Sequence, residues 1–213
     1  MSNKTKTNIF SIAQLLIIIV QVFESSKLIS TAWLDVMGFI STSILLGLAI
    51  ENCITKSYTK RQLIVSSLVL VLTTVLAFTS NRSNAIMIGL IIFAARDINI
   101  DKLIYRDLIF RCVTCSILFS LVVYNAQPEY WAMERIPFGF GHPNTMGGML
   151  MVIGIEMLYV NKNNKNILPF IFAILLMIFN LLTCNSRTSF GVLGISLIFF
   201  GMMKLKINLI KNK

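Results

Sequence analysis

The chain has 213 residues, of which 56% are hydrophobic and only 13% are charged, and its mean hydropathy is +0.78. Soluble domains carry about a quarter of charged residues, so this composition excludes an ordinary soluble protein. The net charge of +10 does not indicate nucleic-acid binding, because the basic residues stand singly between apolar runs and form no continuous face for phosphates. We therefore expect a multi-pass protein of the cell membrane, in contact with the lipid bilayer and with no nucleic acid.

Apolar segments follow one another along the whole chain and leave no stretch for a soluble domain. Some are shorter than the ~20 apolar residues of a straight membrane span, so flanking polar residues must complete those helices. The pattern predicts an all-α fold, a single transmembrane helical bundle over residues 1–213. Its eight or so spans lie at residues 9–23, 33–50, 63–78, 84–95, 108–124, 146–160, 167–182 and 188–203.

The basic residues indicate how these spans are oriented. With the N-terminus inside, only Lys27, Arg82, Arg135 and Arg187 of the 19 Lys and Arg residues face outward. If the fourth segment did not cross, everything after it would invert and most basic residues would lie outside. Because Lys and Arg concentrate in cytoplasmic loops, we expect both termini to be cytoplasmic and residues 125–145 to form an outside loop.

Charged residues near the inner ends of the spans have simple explanations. The segment from Asp97 to Asp107 alternates charged and apolar residues, which predicts either an amphipathic stretch on the bilayer surface or a solvated loop. Arg111 and Glu156 are expected to reach water with their long side chains. Elsewhere, a CxxC pair inside the fifth apolar run has no second pair of metal ligands, so we predict packing there and no metal site.

Three arginines occupy three different outside loops. Arg82 lies in the turn SNRSN, Arg187 lies in the turn NSRTS, and Arg135 belongs to the 125–145 loop. Both turns open a helix, where unpaired backbone N–H groups favour an anion. Because a guanidinium donates two parallel hydrogen bonds to phosphate, the three side chains are candidates for holding one diphosphate. Pairing of each arginine with a lipid headgroup is the alternative.

The only histidine of the chain, His142, follows two glycines in the sequence GFGHPNT. The glycines permit backbone shapes closed to other residues, and Pro143 favours an extended His142 just before the sixth helix. Asn144 and Thr145 are expected to cap that helix. A histidine titrates near neutral pH and can serve as a general base, which makes His142 the catalytic candidate.

Aromatic and acidic residues surround His142 in the outside loop. Glu129 and Glu134 are carboxylates that can orient the imidazole or share its role as base. The aromatic residues serve either as interfacial anchors or as platforms for sugar rings, and the sequence does not separate these two roles. They are Tyr124, Tyr130, Trp131, Phe138 and Phe140.

The two motifs GFGHPNT and NSRTS, separated by a pair of spans, resemble those of the polysaccharide polymerases of Gram-positive bacteria, relatives of the O-antigen polymerase and ligase family. The resemblance implies a metal-independent, cofactor-free, inverting glycosyltransferase that faces outward and joins undecaprenyl-diphosphate-linked repeat units of a capsule or exopolysaccharide. By position, His142 matches the motif histidine and Arg187 the motif arginine. Asn144 and Ser186, from the same motifs, join Arg82 and Arg135 as candidates for substrate binding.

The resemblance covers most of this chain but only the N-terminal half of such polymerases. We therefore expect a truncated product, a split subunit or a shifted reading frame. Two other functions stay open, both with other polysaccharide-assembly membrane proteins as partners. The first is a non-catalytic membrane subunit, and the second is a lipid or polysaccharide exporter with polar residues near the middle of the bilayer.

Overall fold

A computed structural model describes residues 2–24, 26, 30–55, 59–80, 84–125, 136–164 and 166–211. These residues form eight α-helices and no strand, one helix for each apolar segment of the sequence. The helices are α1 (Asn3–Phe23), α2 (Thr31–Thr55), α3 (Lys60–Ser80), α4 (Asn84–Ala94), α5 (Ile100–Asn125), α6 (Pro143–Val160), α7 (Leu168–Phe179) and α8 (Arg187–Lys211). The all-α prediction is confirmed.

Within the described part of the chain, four helices are long and apolar enough to cross a bilayer: α1, α2, α5 and the Arg187–Leu205 part of α8. Large apolar side chains on these and other helices face outward; Phe39 is 74% exposed, Ile54 79% and Phe78 83%. Surfaces of this kind are stable in lipid and are avoided in water. The protein is therefore a multi-pass membrane protein, and the remaining predicted crossings stay predictions.

α7 does not end as a regular α-helix. Its last turn, Asn180–Cys184, is a π-helix, in which the hydrogen bonds skip one residue more than in an α-helix. Asn185 ends this turn in the left-handed conformation, with φ of 48°, and donates its backbone N–H to the Asn180 carbonyl at 2.9 Å. The chain then turns directly into α8.

The helices group into two compact units, the first comprising Met1–Ile17 and Ala32–Asn99. In this unit, Lys6 of α1 is 3% exposed and donates a hydrogen bond to the Asn52 side-chain oxygen of α2. The Asn52 amide nitrogen in turn donates to the carbonyls of Phe93, at 2.8 Å, and Ala94, at 3.3 Å. One asparagine thus joins α1, α2 and the end of α4.

The second unit comprises Ile18–Thr31 and Ile100–Lys213, and α6 packs against α5, α7 and α8 within it. Leu158, Ala173 and Leu193 form a fully buried cluster among the last three helices. These apolar contacts hold together α6, α7 and α8, two of which carry the candidate site at their N-terminal ends.

The structure corrects two predictions, one about the start of α5 and one about the Arg111 side chain. Residues Ile100 to Asp107 belong to α5 itself rather than to a separate surface element or loop, because no Gly or Pro interrupts the helix before Asn125. Arg111 does not extend to water: it pairs with Asp107 and lies 3.5 Å from Glu156 of α6. The side chains of all three are 10–14% exposed.

Candidate functional site

The turn before α6 is held in place by its aromatic residues. Phe138 is 6% exposed and packs between Phe119 of α5 and Phe179 of α7, with ring centroids 5.4 and 5.5 Å apart. Phe140 is 1% exposed. Of the aromatic residues considered for sugar stacking, these two are therefore core residues, whereas Tyr124 is 88% exposed.

Positive backbone angles shape this turn, as the two glycines of the motif predicted. Gly139 has φ of 86° and Gly141 has φ of 66°, in the region that other residues avoid. A side chain at Gly139 would also collide with Val122 and lie 3.1 Å from the Leu118 Cδ1 atom. The glycine therefore allows both the turn and its close approach to α5.

His142 lies at the N-cap of α6 with φ of −139° and ψ of 135°, the extended conformation predicted from Pro143. Its Nδ1 atom accepts a hydrogen bond of 3.1 Å from the backbone N–H of Asn144. The prediction that Asn144 and Thr145 cap this helix is wrong. Both residues already lie inside the helix, and the His142 imidazole occupies the cap position. A neutral ring whose Nδ1 accepts carries its proton on Nε2.

The NSRTS motif forms the start of α8. Ser186 is 4% exposed, and its hydroxyl donates to the Ser189 hydroxyl at 3.0 Å. Ile136, from the turn before α6, donates its backbone N–H to the Thr183 carbonyl at 3.1 Å. This bond joins the two motif-bearing connections directly.

The two motifs meet in one polar pocket of about 530 Å³. Its lining consists of Asn144, Asn185, Ser186, Arg187, Thr188 and Ser189. The structure therefore brings together three residues that the sequence proposed for substrate binding. His142 does not line this pocket, although it holds the backbone of Asn144, which does.

The chemistry of this pocket favours an anion. None of its six lining residues is acidic, and the exposed Arg187 stands at the first position of α8, a helix of 25 residues. The N-terminus of a helix carries a partial positive charge and unpaired N–H groups. A phosphate-sized group at this place would meet a guanidinium, hydroxyls and amides.

Several proposed site residues lie outside the described part of the chain. These are Arg82, Arg135, Glu129 and Glu134, together with the aromatic residues Tyr130 and Trp131. As for metals, the described residues bring no three His, Cys, Asp or Glu side chains together as a possible ligand set.

Sequence reasoning missed one residue beside this pocket, Asn180. It is 0% exposed, and its side-chain oxygen and nitrogen both lack a hydrogen-bond partner. The available signal was a single asparagine within the apolar run 167–182, which we had assigned entirely to a membrane span.

No protein-family model, curated protein or solved structure matches this chain.

Proposed function

We propose that this protein takes part in extracellular polysaccharide assembly and that its polar pocket holds the diphosphate of an undecaprenyl-diphosphate-linked glycan. The observation that supports this proposal is the meeting of Asn144, Ser186 and Arg187 in one pocket at the start of α8. A membrane protein rich in lipid-facing helices suits a substrate with a long apolar tail. The pocket faces outward in the proposed orientation, which places both termini in the cytoplasm.

In the polymerase reaction, an acceptor sugar hydroxyl attacks the anomeric carbon of the donor. The carbon–oxygen bond to the diphosphate breaks, and undecaprenyl diphosphate leaves with the electron pair. Arg187 and the N–H groups at the start of α8 stabilise the charge that develops on this leaving group. His142 takes the hydroxyl proton on Nδ1, which requires its bond to the Asn144 N–H to open.

A second function has one observation in its favour. His142 caps α6 and does not line the pocket, as expected for a non-catalytic subunit that binds the lipid-linked glycan and leaves the chemistry to a partner. In that case the histidine is structural and only the pocket residues matter.

Substitutions of His142 separate these two functions. His142→Asn keeps a good helix cap but removes the base, whereas His142→Ala also removes the cap, at a cost of about 1 kcal/mol. For a polymerase, both variants lose polymer in a chain-length assay by gel electrophoresis of cell-surface polysaccharide. For a binding subunit, His142→Asn makes normal polymer.

Arg187→Lys tests the pocket in the same assay. It keeps the charge but loses the bidentate geometry, so we expect markedly less and shorter polymer. Glu51→Gln, a substitution on α2 in the other unit, serves as the control and should leave chain length unchanged. Normal polymer in both Arg187→Lys and His142→Ala would refute the proposed function.

A further inference from the structure

Asn180, the first residue of the π-helical turn after α7, is the most unusual polar residue of the second unit. Its side chain is completely buried, and neither amide atom has a hydrogen-bond partner. Leaving a buried polar group unpaired destabilises the folded protein. A buried polar group of this kind in a native protein indicates a partner supplied from outside the chain. In addition, π-helical turns occur often at functional sites.

The position of Asn180 connects it with the pocket. A Cβ atom on Gly147 of α6 would lie 2.7 Å from the Asn180 Oδ1 atom and 2.9 Å from the Ser186 hydroxyl. The amide and the hydroxyl therefore contact the same point of α6. Because Ser186 lines the pocket, Asn180 lies directly behind the pocket wall.

We propose that Asn180 forms the inner end of this pocket and hydrogen-bonds a hydroxyl group of the sugar attached to the diphosphate. This inference rests on the proposed function. An amide offers donors on Nδ2 and an acceptor on Oδ1. Phosphate oxygens without a proton only accept, so they leave Oδ1 unpaired, whereas sugar hydroxyls both donate and accept.

Two ends of one ligand thus meet two kinds of protein group. Arg187 and the start of α8 provide charge for the diphosphate, and Asn180 provides uncharged hydrogen bonds for the sugar. Asn180 does not itself line the pocket in this structure, so the proposal requires the Ser186 side chain, which hydrogen-bonds the Ser189 hydroxyl at 3.0 Å, to move aside before the sugar reaches the amide. In this arrangement Asn180 sets specificity for a glycosylated lipid over the bare lipid diphosphate.

The substitution Asn180→Leu separates this role from a structural one. Leucine has a similar size and no polar atoms, so it removes the unpaired amide without opening a large cavity. We expect the melting temperature of the detergent-solubilised protein to stay the same or rise, since an unpaired buried group is lost. Thr183→Val, in the same π-helical turn, is the control, because the Thr183 hydroxyl bonds only locally to the Phe179 carbonyl and the adjacent Cys184.

The binding experiment uses two probes, a short-chain polyprenyl diphosphate and the same lipid carrying one N-acetylhexosamine. We expect the full-length wild-type protein to bind the glycosylated probe about tenfold more tightly, which corresponds to the value of one or two hydrogen bonds. Asn180→Leu should reduce this ratio to about one and leave the affinity for the bare diphosphate unchanged. Arg187→Gln should weaken binding of both probes.

The outcomes distinguish the two proposals. A wild-type ratio that Asn180→Leu leaves intact would refute the role of Asn180 while the diphosphate site stands. Absence of binding to either probe would refute both proposals. If Asn180→Leu does not fold, Asn180→Ser replaces it, because its short hydroxyl cannot reach the sugar and the ratio should fall in the same way.

Discussion

Gly139 is the residue on which the shape of the turn before α6 depends most. Its φ of 86° and its contact with Val122 leave no room for a side chain. For Gly139→Ala, backbone strain of about 1–2 kcal/mol adds to overpacking of about 1–3 kcal/mol. We therefore expect a clearly lower melting temperature in detergent, measured by the loss of helical circular dichroism.

Gly148 provides a matched control for this substitution. It lies within α6, and a Cβ atom placed on it has no neighbour within 4 Å. Alanine is favoured over glycine by about 1 kcal/mol inside a helix, so Gly148→Ala should keep or raise the melting temperature. Equal melting temperatures for Gly139→Ala and Gly148→Ala would contradict the described turn.

At the scale of single residues, the sequence predicted those parts of the site whose local sequence is distinctive. A lone histidine before a proline indicated an extended residue at a helix start, and His142 is one. The single asparagine of the run 167–182 was visible in the sequence, but its lack of a hydrogen-bond partner could not be predicted, because a hydropathy pattern reports only the average of a segment. The same limit applies to Arg111, whose burial depends on the distant Glu156.

At the scale of helices, the buried hydrogen bond from Lys6 to Asn52 connects α1 with α2. Asn52→Leu would leave the lysine ammonium buried without its partner, at a cost of about 3 kcal/mol. The double variant with Lys6→Met removes the unpaired ammonium and should recover that part of the loss, whereas the carbonyls of Phe93 and Ala94 still lack the Asn52 donor. Thermal melting of the single and double variants measures the coupling between the two residues.

Thr55→Val is the control in the same helix, because the Thr55 hydroxyl is exposed and bonds only to the Glu51 carbonyl. It should change stability by less than about 0.5 kcal/mol. If Asn52→Leu were equally mild, the pair would not join the two helices.

The helices themselves were predictable because each apolar run is separated from the next by polar residues. Their ends were less predictable. α2 continues to Thr55, beyond its apolar run, because no Gly or Pro interrupts the backbone hydrogen bonds of the helix there. The π-helical turn Asn180–Cys184 left no pattern in the sequence, because it depends on how the chain packs against α6 and α8.

For the whole molecule, polar contacts in the second unit join helix ends that the charge pattern assigns to one side of the membrane. Lys162, after α6, donates to Asp101 at the start of α5 at 2.7 Å. The hydrogen bonds with Asp101 and Tyr159 raise the pKa of Lys162. Lys204 of α8 donates to the Asn166 carbonyl at 2.7 Å. If the positive-inside rule holds, the side of the unit with these lysines is the cytoplasmic one, and the orientation stays a prediction.

The outward position of the pocket depends on the crossing of α7 as well as on that of the fourth segment. From Leu168 to Cys184 the apolar stretch has 17 residues, about 25 Å of helix, slightly less than the ~30 Å hydrocarbon core. We expect it to cross, with the polar residues Asn166 and Ser186 at its two ends. In a variant without native cysteines, a membrane-impermeant maleimide should label Thr188→Cys on intact cells and Asn164→Cys only after permeabilisation. Labelling of both from the same side would show that α7 re-enters, and protection of both on intact cells would show that the pocket does not face outward.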